Sequence, residues 1–393
     1  MLDFTFLVPT KVIFGKDAER RVGDEIRSHG FKKVLVHFGG ESARKSGLLD
    51  RVRKSLADAG IESMELGGVK PNPRLSLVRE GIELCEKNGV DFLLAVGGGS
   101  VIDSAKAIGL GLANDGDVWD FFEGVRRARA CAPVGCILTI AAAGSETSCS
   151  AVVTNEDGWK KMAVDDELIR PRFAILNPEL TFTLPDYQSM CGVVDILMHT
   201  MERYFSKTKN TDLIDRIAEG LLTSVMENGA KIHENPADYD ARAEIMWGGS
   251  LAHNGLTGAG RAGDWSTHQL EHELSGMWDV AHGAGLAVIW PSWARFVRKE
   301  DVARFAQFAV RVMGCRMNFE NPGETALAGI DAMERYFKSI AMPTTMKDLG
   351  VGDVTDAEIA EMVEKCSRGG RRKLGSMKAL DRPEMKKIYE MAR

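Results

Sequence analysis

Residues 91–113, DFLLAVGGGSVIDSAKAIGLGLA, contain the feature that most narrows the folds available to this chain. An apolar run typical of a buried strand leads directly into three glycines, and a helical pattern follows them. Comparable apolar runs end in glycines or small residues within 32–40 and 131–148. Strands that alternate with helices predict βαβ units and a parallel sheet, which binds ligands at the carboxyl ends of its strands.

The second half of the chain has a different pattern. From about residue 183 onward apolar residues recur at spacings of three and four, and no strong strand signal is present. This periodicity predicts amphipathic helices. We therefore expect a mixed α/β plus all-α fold, with an α/β domain over residues 1–182 and an all-helical domain over residues 183–393.

Composition excludes several classes of protein. The 393 residues are 44% hydrophobic and 27% charged, which is typical of a globular protein with a large core. A formal net charge of −6 argues against sequence-independent nucleic-acid binding. No apolar run approaches the roughly 20 residues that span a bilayer, and no signal peptide is evident. Seven scattered cysteines without a CxxC pair indicate a reducing compartment, so we expect a cytoplasmic protein without nucleic-acid or membrane partners.

A carboxylate and an imidazole, Asp195 and His199, occur four residues apart within the apolar stretch 192–200, GVVDILMHT. A spacing of four places both side chains on one face of a helix. Buried polar groups need a partner, which is either a divalent cation or the neighbouring side chain through a hydrogen bond. The spacing alone leaves both alternatives open.

Three of the eight histidines lie in residues 268–283, HQLEHELSGMWDVAHG. His268 and His272 repeat the spacing of four, and His282 follows within a glycine-rich segment. One carboxylate with three histidines would form a four-ligand site that suits Zn²⁺ or Fe²⁺ and is too rich in nitrogen for Mg²⁺ or Ca²⁺. Because five candidates compete for four positions, one histidine would remain near the metal for proton transfer.

The three-glycine turn has the character of a phosphate-binding site. Glycines permit a close approach of the backbone, and the amides at a helix N-terminus favour an anion. Ser100 is a candidate N-cap, with Asp103 three residues later in a capping-box-like position. A tight turn without any ligand is the alternative.

A second turn, FGGESARKSG at 38–47, follows the first strong strand. In a dinucleotide-binding sheet Glu41 could accept a hydrogen bond from a ribose 2′-hydroxyl and would repel a 2′-phosphate. Arg44 and Lys45 would favour that phosphate. The sequence therefore leaves NAD and NADP as open alternatives.

Taken together, these segments resemble the iron-containing (group III) alcohol dehydrogenases, and within them the butanol dehydrogenase-like branch. The resemblance runs nearly end to end. It is carried by KVIFGK (11–16), GGGSVIDSAKAI (97–108), GDVWDFF (116–122), TLPDYQ (183–188), GVVDILMHTMERYF (192–205), HQLEHELSG (268–276) and AHGAGLAV (281–288).

The resemblance implies a Rossmann-like N-terminal domain, a helical C-terminal domain, a metal and nicotinamide in the cleft between them, and a homodimer. The implied ligands of Fe²⁺ or Zn²⁺ are Asp195, His199, His268 and His282. His272 is the implied catalytic residue, which relays protons beside the nicotinamide. The implied NAD(P)-binding residues are Gly39, Gly40, Ser42, Gly98, Gly99, Ser100, Asp103, Thr139 and Lys161.

The implied activity is hydride exchange between a nicotinamide and a small or medium aliphatic alcohol or aldehyde. Trp265, Met277 and Trp278 favour such a substrate over a charged one if they line the cleft. Three residues depart from the family pattern near the cofactor: Ala143 replaces a threonine, Ser150 stands where asparagine is common, and Glu41 interrupts what is often a run of three glycines in the NADP-using branch. These departures affect the prediction of cofactor affinity and leave the metal ligands unchanged.

Other functions remain as alternatives. A related phosphate-handling synthase should carry several basic residues around the metal, but region 250–290 offers only Arg261. A metal-dependent hydrolase would explain the histidines without explaining the glycine turns. A non-catalytic protein that binds metal or nucleotide is the third alternative.

Overall fold

The computed structural model describes residues 1–393 and consists of two compact units. One unit comprises Leu7–Thr183, and the other comprises Met1–Phe6 with Leu184–Arg393. The sequence placed the first six residues with the sheet, but their backbone finds its partners in the helical unit. The Leu2 amide donates to the carbonyl of Gly260 at 2.8 Å, and the Met1 amino group donates to the carbonyl of Lys209 at 2.7 Å.

The sheet unit contains six parallel strands in the order β1-β8-β5-β4-β2-β3, which confirms the predicted parallel sheet. An antiparallel pair, β6 and β7, forms a second small sheet that the sequence did not predict. The strands are β1 (Lys11–Phe14), β2 (Lys33–Phe38), β3 (Glu62–Leu66), β4 (Phe92–Gly97), β5 (Val134–Leu138), β6 (Ser150–Asn155), β7 (Lys160–Asp165) and β8 (Phe173–Leu176).

The sheet unit also contains six α-helices and three short 3₁₀ helices. The α-helices are α1 (Val22–Ser28), α2 (Ser42–Lys45), α3 (Leu48–Asp58), α4 (Leu75–Asn88), α5 (Gly99–Leu112) and α6 (Trp119–Phe122). The 3₁₀ helices are Ala18–Arg21, Glu167–Ile169 and Pro178–Thr181.

The side chains of β2 point alternately to the two faces of the sheet, and both faces are covered by helices. Val34 and Val36 are buried in one core with Val22 of α1 and Val52 of α3. The next residue, His37, faces the opposite way, and its Nε2 lies 2.8 Å from the Ser104 hydroxyl of α5. Because both faces are buried, β2 and β4 are nearly continuous apolar runs, as expected for a parallel sheet.

The strand order creates a crevice at one point of this sheet. β2 and β4 are neighbours, but the chain leaves β2 toward β3 on one side and leaves β4 toward β5 on the other. Such a reversal opens a crevice at the carboxyl ends of the two strands, and open α/β sheets bind their ligands there. Both glycine turns of the sequence begin at this edge.

The helical unit contains no strand, as the periodicity predicts. Its α-helices are α7 (Asp186–Tyr204), α8 (Asp212–Glu234), α9 (Tyr239–His253), α10 (Ser266–Trp278), α11 (His282–Val297), α12 (Val302–Arg311), α13 (Pro322–Ser339), α14 (Met346–Leu349), α15 (Asp356–Cys366) and α16 (Arg382–Ala392). Short 3₁₀ helices occur at Leu256–Gly258 and Arg298–Glu300. None of the helices combines the length and apolar character that crossing a membrane requires.

Candidate metal and nucleotide sites

Three helices of the helical unit bring a carboxylate and two imidazoles together. The Asp195 Oδ1 atom of α7 lies 3.7 Å from His268 Nε2 of α10 and 3.8 Å from His282 Nε2 at the start of α11. One ligand atom from each of these residues falls within 4.8 Å of the other two. A single ion could therefore contact all three.

His199 stands at the side of this group, one turn beyond Asp195 on α7. Its Nδ1 lies 3.4 Å from Asp195 Oδ1, and its ring centroid is 4.7 Å from that of His268. The four residues that the resemblance implies as ligands are thus adjacent in the structure.

Two glycines allow α11 to approach its neighbours. A Cβ atom at Gly283 would lie 2.0 Å from the carbonyl oxygen of Cys191 on α7. A Cβ atom at Gly285 would lie 2.7 Å from Oε1 of Glu271 on α10. A side chain at either position would therefore push away the helix that begins with His282. The glycines that follow His282 in sequence hold its helix against α7 and α10.

Three buried polar atoms of this cluster have no hydrogen-bond partner in the protein. They are Asp195 Oδ1, His199 Nδ1 and His268 Nε2. A buried polar atom without a partner costs free energy, so such atoms in a native protein call for an explanation. A divalent metal ion would satisfy all three atoms at once, and the oxygen and nitrogen donors suit Zn²⁺ or Fe²⁺. The residues present therefore fit a metal.

Two further carboxylates contact the Nδ1 atoms of His268 and His282, the ring nitrogens that do not face Asp195. Glu202 Oε1 lies 3.0 Å from His268 Nδ1 and also accepts the backbone amide of His268 at 2.9 Å. Glu271 Oε2 is bonded to His282 Nδ1, and the side chain of Glu271 is completely buried. Carboxylates in this position fix the ring orientation and leave the other ring nitrogen for a metal.

The electrostatics of the cluster favour positive charge at His268 and a neutral ring at His199. Burial disfavours a charged His268, but Asp195 and Glu202 outweigh burial and raise its pKa to about 9. Burial, together with the neighbouring His253 and His268, holds the pKa of His199 well below its usual range. The same negative charge that attracts a proton to His268 would stabilise a divalent cation.

Sequence reasoning missed Glu202 and Glu271, although a signal was present. Glu202 lies three residues after His199 and seven after Asp195, so it shares their helix face. Glu271 lies three residues after His268 on the buried side of α10. A carboxylate on the same face as a presumed metal ligand is a candidate for the supporting contact.

His253 and Trp265 also contribute to the site. The centroid of the His253 ring lies 4.0 Å from that of His199. Trp265 precedes α10 and adopts a φ of 65°, which is uncommon for a bulky residue. The centroid of its ring lies 5.4 Å from that of His268. Only glycine fits at position 263, because a Cβ atom there would lie 2.5 Å from Trp265 Nε1.

The fifth candidate, His272, lies one turn after His268 on α10. Its ring centroid is 5.6 Å from that of His282, and it groups with Glu271 and His282. The ligand atoms of Glu271, His272 and His282 lie within 4.8 Å of one another, so His272 stands next to the presumed ligand His282.

In the sheet unit, the three-glycine turn connects β4 to α5 at the crevice edge. Two of its glycines are also required by close packing against the segment that follows β5. A Cβ at Gly98 would lie 2.1 Å from Ile140 Cγ2, and a Cβ at Gly99 would lie 2.8 Å from the Cβ of Ala143. Gly98, Gly99 and Ser100 are partly exposed, whereas the strand before them and the helix after them are buried. The turn therefore presents its backbone at the surface of the crevice.

The predicted capping arrangement of this helix is wrong. α5 begins at Gly99 with Gly98 as its N-cap, and no side chain caps it. Ser100 lies inside the first turn. The Asp103 carboxylate points into the protein instead, where Oδ1 accepts the Ser145 hydroxyl at 2.5 Å and Oδ2 accepts the Val152 amide at 3.0 Å. Asp103 thus binds residues from distant segments instead of forming the predicted cap.

The other predicted cofactor residues occupy different elements of the sheet unit. Gly39, partly exposed, and Gly40 and Ser42, both exposed, follow β2 at the crevice edge. Thr139 follows β5, and its amide donates to the carbonyl of Gly97 at 3.1 Å. Lys161 lies farther along the chain on β7, where it pairs with Thr154 of β6.

Comparison with known proteins gives a consistent result over the whole chain. Residues 9–178 match the family model described as iron-containing alcohol dehydrogenase. Residues 189–393 match the model for the C-terminal part of the Fe-containing alcohol dehydrogenase family.

Individual relatives agree with these models. The chain is 38% identical to a probable NADH-dependent butanol dehydrogenase 1 of Bacillus subtilis, with 99% of each chain covered. It is 35% identical to the NADPH-dependent aldehyde reductase YqhD of Escherichia coli over the full length of both. A crystal structure of an NADH-dependent butanol dehydrogenase A from Thermotoga maritima superposes with a TM-score of 0.95 at 37% identity, covering 100% of this chain and 99% of that one.

Proposed function

Because the chain belongs to the iron-containing alcohol dehydrogenase family, we propose that it interconverts small to medium aliphatic aldehydes and alcohols with a nicotinamide cofactor and a divalent metal. The observation that carries this proposal is the cluster of Asp195 and three histidines, in which the buried Asp195 Oδ1, His199 Nδ1 and His268 Nε2 atoms have no hydrogen-bond partner and would be satisfied by a cation. The names of relatives, which include both butanol dehydrogenases and an aldehyde reductase, support the substrate class.

Asp195, His199, His268 and His282 would hold the metal. When bound, the metal supplies Lewis-acid polarisation of the substrate oxygen. Glu202 and Glu271 keep the rings of His268 and His282 in the orientation that ligation requires. Because both carboxylates are buried, they also compensate the positive charge of the site.

His272 is the residue we assign to proton transfer. It is only partly buried, and it groups with Glu271 and His282, so it has contact with the site and some access to solvent. An imidazole has an ordinary pKa near the working range and can accept and release protons at neutral pH.

The nucleotide would bind at the crevice of the sheet unit. Gly98, Gly99 and Ser100 would hold its phosphates, since the first amides of α5 have no partner within the helix. Gly39, Gly40 and Ser42 would face its adenosine ribose, and Thr139 and Lys161 would make further contacts. When bound, the nicotinamide exchanges the hydride.

We further propose that NADH is preferred over NADPH. Glu41 is exposed just beyond β2, where a carboxylate repels a 2′-phosphate. The competing cation, Arg44, is already engaged: its guanidinium lies 2.9 Å from Glu65 and 4.9 Å from the Phe38 ring centroid. Only Lys45 then remains to attract the phosphate at this turn. The butanol dehydrogenases among the relatives are named NADH-dependent, which agrees with this argument.

The test is reduction of butyraldehyde by protein that has been stripped with a chelator and reloaded with Fe²⁺ or Zn²⁺. We expect turnover that depends on the metal, with kcat/KM for NADH at least about fivefold above that for NADPH, since one charge repulsion is worth of order 1 kcal/mol or more. Loss of absorbance by the reduced nicotinamide gives both rates.

Metal-loaded protein that binds neither dinucleotide and reduces no short aldehyde would contradict the proposal. Ester or amide hydrolysis by that same protein would instead favour the metal-dependent hydrolase. Binding of metal and dinucleotide without turnover would favour the non-catalytic alternative.

We also propose that the protein is a homodimer. Its N-terminal segment exposes a row of apolar side chains, of which Phe4 is 52%, Phe6 48% and Leu7 60% exposed. A second copy of the chain is a partner that could cover them. Light scattering after size-exclusion chromatography should give twice the mass of the chain, and a single-chain mass would refute the dimer.

A further inference from the structure

A lysine that the reaction does not use is completely buried in the sheet unit. Lys106 lies in the middle of α5, and its ammonium group reaches the segment that follows β5. Its Nζ donates to the Ser145 hydroxyl at 2.9 Å and to the carbonyl oxygens of Ser148 and Ser150 at 3.0 and 2.8 Å. Burying an ammonium is expensive, so a site that supplies several oxygen acceptors indicates a specific role.

A carboxylate completes this arrangement. The Ser145 hydroxyl that accepts from Lys106 donates to Asp103, one turn earlier on the same helix. Asp103 also accepts the amide of Val152 at 3.0 Å. Burial lowers the pKa of Lys106, and the charge of Asp103 is the largest influence that opposes this shift. We call Asp103, Lys106 and Ser145 the loop clamp.

The segment held by the loop clamp lies against the phosphate turn. Ile140 and Ala143 belong to this segment, and they form the floor on which Gly98 and Gly99 pack. A displacement of the segment would therefore change the surroundings of both glycines. The loop clamp is the set of polar contacts that ties this segment to the body of α5.

Direct action of Lys106 on a bound phosphate is a weaker explanation. Lys106 is seven residues beyond Gly99, which at about 1.5 Å per residue is roughly 10 Å along the helix. The Asp103 carboxylate lies nearer and offsets the charge of Lys106. The effect of Lys106 must therefore be transmitted through the position of the segment.

We propose that Lys106 is a positioning residue for the nucleotide: with Ser145 and Asp103 it holds the chain after β5 so that the turn at Gly98 and Gly99 keeps its binding shape. Asp103 then supports the site from inside rather than contacting the nucleotide directly. This inference rests on the proposed function, because it presupposes a dinucleotide at that turn.

The experiment compares two serine-to-alanine variants of the metal-loaded protein. Ser145→Ala removes the central hydroxyl of the loop clamp. Ser104→Ala is the matched control, because Ser104 is also fully buried on α5 but its hydroxyl contacts His37 on the other side. Ser145→Ala loses two buried hydrogen bonds and Ser104→Ala loses one, so both variants should unfold at lowered temperatures.

For Ser145→Ala we expect Kd and KM for NADH to rise by roughly five- to tenfold, because the segment loses the hydroxyl that joins Lys106 to Asp103. The KM for butyraldehyde and the metal content should stay within about twofold of wild type, and kcat should fall less than kcat/KM for NADH. Ser104→Ala should bind NADH like wild type. Lys106→Met should exceed the effect of Ser145→Ala wherever it folds.

Equal NADH affinities for Ser145→Ala and wild type would overturn the proposal. So would equal losses in both serine variants, because they would show a general effect of stability. If wild-type protein itself failed to bind NADH in the same titration, the proposed function would be refuted, and this outcome differs from failure of the loop clamp alone.

Discussion

Replacing His268 with alanine is expected to remove the metal and to lower butyraldehyde reduction by roughly 10³-fold, because a Lewis-acid contribution of several kcal/mol is lost at about 1.4 kcal/mol per factor of ten. His268 stands at the centre of the site: its ring faces Asp195 on one side and Glu202 on the other. Elemental analysis of the purified variant and the rate of NADH oxidation measure the two losses.

The control for this variant is His233→Ala. His233 lies on α8 of the same unit, where it pairs with Asp186 at 2.9 Å instead of with the cluster. The His233→Ala variant should retain the metal and reduce butyraldehyde at the wild-type rate. Asp195→Asn tests the same site with nearly unchanged volume and should also lose most activity. An alanine variant at His268 that kept both metal and turnover would show that the cluster is not the reaction centre.

Replacing Glu271 with glutamine is expected to weaken metal binding by roughly 10- to 100-fold, which is typical when a supporting carboxylate behind a ligand is lost. Glu271 is completely buried and bonded to both His282 and Ser275. Glutamine keeps the volume that packs against Gly285 but removes the charge, so His282 becomes a poorer ligand. Competition with a chelator of known affinity measures the change.

Glu273→Gln is the matched control for that substitution, because it neutralises a carboxylate on the same helix whose charge acts on Cys366 and Arg372. Its metal affinity should equal that of wild type. If both glutamine variants lost affinity to the same degree, the general charge of α10 would explain the result, and the specific support of His282 by Glu271 would be disproved.

The architecture was largely predictable because it depends on local patterns. Apolar runs that end in glycine at 97–99 and 39–40 mark strand ends, and a spacing of three and four marks helices. The hairpin of β6 and β7 was missed because its strands mix polar and apolar residues without a clear apolar run. The attachment of Met1–Phe6 to the helical unit was missed because a terminal segment takes its partners from distant parts of the chain.

The sequence by itself determined which side chains are available for ligation and how they pair along a helix, because a spacing of four fixes two residues on one face. Only the tertiary structure decided that α7, α10 and α11 meet, through glycines at 283 and 285 that leave no room for a side chain. It also decided that Glu202 and Glu271 stand behind the histidines and that Asp103 turns inward to Ser145. Contacts between distant segments depend on packing, and no local spacing encodes them.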